Sequence, residues 1–186
     1  MTRIIAGAAR GRRLAVPPRG TRPTSDRVRE AVFSALAARM DFDGLAVLDL
    51  YAGSGALGFE ALSRGASRVV LVDQDPKVVM VINQNARAVG LEGATAHRRA
   101  ARTFLGLPAE PFDLVFLDPP YDVPSDTVDG DLAALTGGWL APDACVLVER
   151  SSRTAPITWP EGFEVDVARD YGETRIELAF WQDRTP

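Results

Sequence analysis

The sequence predicts an α/β fold: a mostly parallel seven-stranded sheet covered on both faces, with a C-terminal antiparallel hairpin and a small N-terminal basic extension. Three observations carry this prediction. From residue 45 onward, short apolar runs alternate with longer amphipathic ones, the pattern of strand–helix units joined by right-handed crossovers. The run ending at Leu50 passes through a glycine-rich turn straight into a helix. The last two strand-like segments are separated only by Asp170–Glu173, which suits a hairpin.

The elements follow in order. Arg3–Ile5 and Arg13–Val16 flank the turn-rich Gly7–Gly11 segment and pair as a small hairpin, and Pro17–Pro23 is a loop. Ser25 or Asp26 caps a helix whose apolar positions Val28, Val32, Phe33 and Leu36 follow helical spacing. Leu45–Leu50 is a buried strand, followed by the glycine turn and a helix to about Arg64. Arg68–Val72 is the next strand, and Asp75-Pro76 supplies an N-cap and a first-turn proline for a helix to about Val89. Ala94–His97 is a weak strand and Phe112–Leu117 a strong one. A helix around Asp129–Leu135, a strand at Cys145–Glu149, and the hairpin Phe163–Arg169 with Thr174–Trp181 complete the chain. Residues 1–40 form the extension and 41–186 the main domain.

Composition bounds the function. The 186 residues are 46% hydrophobic and 25% charged, enough for one domain with a real core. The single Cys145 excludes an internal disulfide framework or a cysteine-rich metal site and suits a reducing compartment; no metal is expected. With His97 the only histidine, a histidine-based triad or zinc site would rest on that residue alone. No apolar run approaches the roughly 18 residues that span a bilayer, so no membrane partner is expected.

The net charge of −4 argues against nucleic acid until it is divided along the chain. Residues 1–40 carry nine arginines against Asp26 and Glu30, a net of +7; the remainder carries −11. Such asymmetry points to a nucleic-acid or other anionic partner, and arginine suits bidentate phosphate contacts and stacking on bases. A solvated basic surface is the plainer alternative. A targeting segment is disfavoured, because Ile4–Ala9 is too short for a signal peptide and Pro17, Pro18 and Pro23 break any amphipathic helix.

Asp49-Leu-Tyr-Ala52-Gly53-Ser-Gly55-Ala-Leu-Gly58 leaves a strand and enters a helix, and Asp73 ends the next strand twenty residues beyond Gly53. Glycines allow a tight turn and close approach of a ligand, while the distal acid accepts hydrogen bonds from ribose hydroxyls. Asp49 discriminates between cofactors: a carboxylate at the mouth of the loop repels a pyrophosphate but suits the sulfonium and ammonium of S-adenosylmethionine. The form D-x-x-x-G-x-G resembles the first motif of class I methyltransferases, with Asp49 near the methionine end and Asp73 and Gln74 near the ribose. Asp49 can also simply organise the loop. Asp75 is a helix cap or a second ribose ligand.

Asp118-Pro119-Pro120-Tyr121 sits at the end of a strand, on the side of a parallel sheet where ligands bind. It resembles the catalytic motif of methyltransferases acting on amines attached to planar rings. Such an amine is a poor nucleophile because its lone pair is conjugated with the ring. Hydrogen bonds from it to the Asp118 carboxylate and Pro119 carbonyl favour a pyramidal nitrogen, and the prolines, lacking N–H donors, stiffen the loop. Tyr121 offers a face for an extruded base, worth about 1–3 kcal/mol. Asp118 or water takes the proton lost afterwards.

Together with Arg3–Arg12, Thr21–Glu30 and Tyr171–Ile176, these motifs resemble one family, the bacterial 16S ribosomal RNA guanine-N2 methyltransferases called RsmD, over nearly the whole chain. The resemblance implies a Rossmann-like class I methyltransferase fold and transfer of methyl from S-adenosyl-L-methionine to the exocyclic N2 of one guanine in 16S rRNA. It implies a substrate in an assembled or assembling 30S subunit, a cytoplasmic location, and a monomer. By analogy Arg10, Arg12, Arg22, Arg27 and Arg29 grip RNA phosphates or order the loop over the cofactor. One departure stands out: Ala100 occupies the place where an Asp or Asn often meets the adenine amine, which leaves adenine to backbone groups. His97 is structural or exposed, Cys145 a small core residue, and Arg98, Arg99 and Arg102 either extend the RNA surface or are simply solvated.

Three other functions compete: an amino methyltransferase on another RNA or on DNA, at adenine N6 or cytosine N4; a nicotinamide-dependent oxidoreductase; and a non-catalytic RNA-binding assembly factor. The second leaves Asp118–Tyr121 unexplained. The third predicts binding that survives loss of Asp118.

Overall fold

The computed structural model describes residues 2–17 and 25–182. Strands β3 (Ala46–Leu50), β4 (Arg68–Asp73), β5 (Ala94–Arg98), β6 (Phe112–Leu117), β7 (Leu140–Ser151), β8 (Phe163–Tyr171) and β9 (Thr174–Trp181) form a seven-stranded sheet in the order β5-β4-β3-β6-β7-β9-β8. The first five are parallel, and β9 enters antiparallel between β7 and β8. This is the expected mostly parallel sheet with a closing hairpin.

Side-chain alternation along the strands fills two cores. Val47, Val69, Leu71, Leu114, Phe116, Cys145 and Leu147 face one side, where α1 (Asp26–Ala37), α2 (Ala56–Ser63) and α3 (Pro76–Val89) pack. Leu48, Leu50, Val72, Val115, Leu117, Val146 and Val148 face the other, under α4 (Ala101–Phe104) and α5 (Ser125–Leu135). Asp75 caps α3 by accepting the Lys77 N–H at 2.8 Å, and Ser25 caps α1.

The extension is part of the first core. Strands β1 (Thr2–Arg3) and β2 (Arg13–Leu14) form the small hairpin, and Ile4, Ala9 and Leu14 are buried beside Val32, Phe33 and Leu36 of α1. The Phe33 ring lies 5.6 Å from Phe42 and 5.8 Å from Phe116, which joins α1 to the sheet.

Several boundaries differ from expectation. β7 begins five residues before the expected Cys145, despite Pro142 and Asp143, because its register against β6 shifts between Phe112↔Leu140 and Leu114↔Cys145. Asp143 takes φ 59° within that irregularity. Helix α5 starts at Ser125, with Pro124 at the cap position, and the single turn α4 has too few residues to leave a periodic signal. The loop expected at Pro17–Pro23 lies almost wholly outside the described residues.

Candidate active site

Three parallel strands end side by side. β3 pairs with β4 and β6 in the registers Leu50↔Val72 and Leu50↔Leu117, so Tyr51, Asp73 and Asp118 come next to one another at the sheet's edge. The chain turns one way from β3 to β4 and returns on the other side at β6. The diverging connections leave a crevice at the carboxyl ends, where open α/β sheets bind ligands.

The glycine loop is held tightly. Tyr51 turns the chain at φ 67°, and its hydroxyl donates to Asp131 Oδ2 at 2.6 Å. The Ala52 N–H donates to the Val72 carbonyl at 2.9 Å and the Gly53 N–H to Asp73 Oδ2 at 3.2 Å. Asp73 Oδ1 accepts the Asp75 N–H at 3.0 Å, which orients the carboxylate at the strand end; Gln74 beside it is exposed.

The three motif glycines differ in purpose. A Cβ on Gly55 would lie 2.5 Å from the Phe59 ring, and one on Gly58 would lie 2.7 Å from the Val69 side chain and 3.2 Å from Asp49. These two permit helix–strand packing. A Cβ on Gly53 would meet only the Tyr51 carbonyl, at 4.0 Å, so this glycine borders open space beside Asp73. That open cradle fits the approach of a nucleoside ligand.

Asp49 is 1% exposed and accepts the Gly58 N–H at 3.0 Å, so it does organise the loop. Burial pushes its carboxyl up to about 8; the Gly58 bond opposes the rise, and the nearby Asp118 and Asp73 add to it. Asp73 is also raised, chiefly by burial. Three carboxyl groups within electrostatic reach form an acceptor set for a cationic group and ribose hydroxyls, and a poor one for pyrophosphate.

The Asp49 proton has a consequence for stability. With its folded value raised above the ordinary 3.8, the native state keeps a proton that the unfolded chain has released. Its contribution is therefore fully present below about pH 4 and is lost as pH rises toward about 8. Asp49→Asn retains an acceptor for Gly58 and removes this loss. The stability of the variant should match that of the parent most closely at pH 5 and exceed it most at pH 8, by about 1–3 kcal/mol, or several degrees in melting temperature. Melting curves across that range check the trend; a constant difference would contradict it.

At the end of β6, Asp118 and Pro120 are half-buried, Pro119 is buried, and Tyr121 is 41% exposed with its hydroxyl 3.2 Å from Thr174 Oγ1. The Val123 N–H donates to the Pro120 carbonyl at 3.0 Å and closes the turn. Ala100 precedes α4, and the following strand–helix junction is tied to the site by the Arg99 N–H, which donates to the Asp73 carbonyl at 3.0 Å. His97 is half-buried, edge-on to Phe104 at 5.4 Å. Cys145 is buried within β7, its thiol pushed up to about 12 by burial.

The extension is docked by polar groups that periodicity alone does not reveal. Glu60, fully buried on α2, accepts the Ile5 and Ala6 N–H groups at 2.8 and 3.0 Å. Ser63 Oγ accepts the Ala9 N–H at 2.9 Å. Asn85, 1% exposed on α3, accepts the Ala15 N–H at 2.8 Å and donates to the Ala15 and Ser54 carbonyls at 2.9 and 2.8 Å. It thereby connects the basic extension to the glycine loop. A polar residue on the same helical face as Ile82 and Val89 is the signal that marks it.

The arginines divide. Arg10 and Arg27 are exposed. Arg12 is exposed too, but its Nη1 donates to the Ala88 carbonyl at 3.0 Å, at the far end of α3, about 20 Å along the helix from the crevice. Arg29 is 1% exposed: it donates to Thr2 Oγ1 at 2.8 Å, to Asp26 at 3.0 Å and to the Arg3 carbonyl. Burial turns it inward, so it orders the extension and does not face a phosphate. Arg22 lies outside the described residues. Arg98, Arg99 and Arg102 are exposed.

The fold and this site define a class I methyltransferase. The family model described as Conserved hypothetical protein 95 matches residues 2–180. The chain is 38% identical over 179 residues to the ribosomal RNA small subunit methyltransferase D of Escherichia coli K12, covering 95% of this chain and 88% of that protein. The protein of the same name from Haemophilus influenzae is 37% identical over 87% of this chain and 84% of its own length. The solved structure of the methyltransferase candidate yhhF from Escherichia coli superposes with a TM-score of 0.85 at 35% identity, covering 97% of this chain and 98% of that one. The chain belongs to the Conserved hypothetical protein 95 family, that of the RsmD methyltransferases.

Proposed function

We propose that the chain transfers the methyl group of S-adenosyl-L-methionine to the exocyclic N2 of a guanine in 16S rRNA, within the 30S subunit or its assembly intermediate. The observation that carries this reading is the placement of Asp118–Tyr121 next to the carboxylate-lined glycine crevice, at adjoining strand ends. Relatives named for small-subunit rRNA support the substrate class.

Asp49, Ala52, Gly53, Gly55, Gly58, Asp73 and Gln74 would hold the donor: Asp73 at the ribose, Asp49 toward its cationic end, and Gly53 by leaving room. Backbone groups near Ala100 would meet the adenine. When bound, S-adenosyl-L-methionine supplies an electrophilic methyl group on a sulfonium.

The rest is done by this chain. The Asp118 carboxylate and the Pro119 carbonyl accept hydrogen bonds from the guanine amine and direct its lone pair out of conjugation. The Tyr121 ring stacks against the base, which must leave its own stack to reach the crevice. Asp118 then accepts the proton that the amine gives up, directly or through water. Arg10, Arg12 and Arg27 supply salt-sensitive phosphate contacts; the position of Arg12 makes the footprint long, at least about 20 Å from the target base. This reading takes the enzyme as a monomer, and an rRNA substrate suits a cytoplasmic location.

The test presents tritiated donor with 30S subunits lacking the modification, with protein-free 16S rRNA, and with DNA. Label is expected in the RNA of the 30S particle. Label in DNA, or none in either RNA while the donor binds, would overturn the reading.

A further inference from the structure

β7 carries into the site a charged side chain that the chemistry above does not use. The register Leu117↔Val148 leaves Glu149 and Arg150 running past the end of β6, beside the loop that holds Asp118. By strand alternation, Arg150 continues the face of Val146 and Val148, whose side chains lie in the core under α5. It is nevertheless a cation, and only 3% exposed.

Its guanidinium reaches two carbonyls of the catalytic loop. Nη2 donates to Val123 at 2.6 Å and Nη1 to Pro120 at 3.4 Å. Pro119 and Pro120 bring no N–H donors, so this segment cannot be held by a backbone ladder of its own. A planar fork of donors from the neighbouring strand takes that place. Burial lowers the Arg150 pKa, against which Tyr51, Asp129, Asp118 and Tyr121 act electrostatically. Two of these belong to the catalytic motif and one to the glycine loop. A methionine would continue the apolar face without the desolvation cost of a charge. What it could not do is hold the loop.

We propose that Arg150 is a positioning residue for methyl transfer: by fixing the Pro120 and Val123 carbonyls it sets the direction in which Asp118, the Pro119 carbonyl and Tyr121 face the substrate amine. The proposal rests on the amine-methylating function above. It predicts that kcat depends on Arg150 while cofactor affinity does not, because the groups assigned to the cofactor lie on the other side of the crevice.

Arg150→Met and Arg150→Lys test it, in the full chain with 30S substrate and at a temperature where circular dichroism shows each variant folded. Arg150→Met should lose about 30- to 100-fold in kcat, as expected for misplaced reacting groups, with KM and donor Kd within about threefold of the parent. Arg150→Lys, which keeps the charge but not the planar fork, should lose about 5- to 10-fold. Parental kcat in folded Arg150→Met overturns the proposal, as does a fall in kcat matched by an equal loss of donor affinity. If Arg150→Met does not fold, Arg150→Lys decides, and parental kcat overturns it there. The labelled nucleoside is identified in the same assay. A wrong acceptor therefore shows in the parent protein, whereas a wrong role for Arg150 shows only in the ratio of variant to parent; a parent that transfers no methyl at all overturns both.

Discussion

Replacing Asp118 with alanine is expected to lower kcat by about 10³-fold, while the donor still binds within a few-fold of the parental affinity. The carboxylate is assigned two tasks, orienting the amine and accepting its proton, and alanine removes both. The crevice around it should survive, because Asp118 is half-buried at the end of β6 and the loop beyond it is held by Val123 and Arg150. Asp49 and Asp73 keep their backbone partners at Gly58, Gly53 and Asp75. Asp118→Asn keeps an acceptor but no negative charge and should fall between the two. Single-turnover rates with saturating donor, alongside donor affinity by calorimetry, check this. An alanine variant that methylates at the parental rate would remove Asp118 from the chemistry. One that loses donor affinity instead would move it to the cofactor site.

The second large effect separates two glycines of one motif. Gly53→Val should raise the donor Kd by more than about 100-fold, because a branched side chain would occupy the space beside Asp73 into which the ligand must come. The fold should tolerate it at a cost of about 1–3 kcal/mol for a left-handed backbone, since a Cβ there meets nothing closer than the Tyr51 carbonyl at 4.0 Å. Gly58→Val should behave oppositely. Its Cβ already lies 2.7 Å from Val69 and 3.2 Å from the Asp49 carboxylate, so the larger side chain should unfold the region by about 3 kcal/mol or more, with or without ligand. Denaturant titrations of both variants, with and without donor, give the comparison. Equal losses of stability in the two would mean that Gly53 is structural.

Both predictions use residues visible in the sequence, and the reason is local. Asp49, Asp73 and Asp118 each lie at or beside the carboxyl end of an apolar strand, so strand pattern and motif coincide. β6 is legible to the residue, Phe112–Leu117, because five of its six residues are apolar and prolines stand close to both ends, at Pro111 and Pro119. The start of β7 is hidden in the sequence because Pro142 and Asp143 resemble a break, and only pairing across an irregular register shows that the strand begins at Leu140.

The supporting polar groups leave at most a polar residue on an apolar face, as at Asn85, and their partners leave no signal. Glu60, Asn85 and Arg150 are buried and find partners 27 to 70 residues away in sequence, and no spacing rule connects such positions. Arg29 teaches the same lesson about charge. The +7 of residues 1–40 counts a guanidinium that the fold turns inward, where it ties Thr2, Arg3 and Asp26 together. Arg10, Arg12 and Arg27 stay outside, so the basic extension is partly a surface and partly an internal brace.

The reaction proposed for this crevice is methylation of an exocyclic guanine amine in small-subunit rRNA. The most direct test is the identity of the nucleoside labelled by the parent protein in unmodified 30S subunits, read by digestion and mass spectrometry beside Asp118→Ala. N2-methylguanosine from the parent, with little or none from the variant, is the predicted result. Methyl on adenine, on cytosine or on a ring carbon would contradict the account, as would N2-methylguanosine formed equally well by the variant.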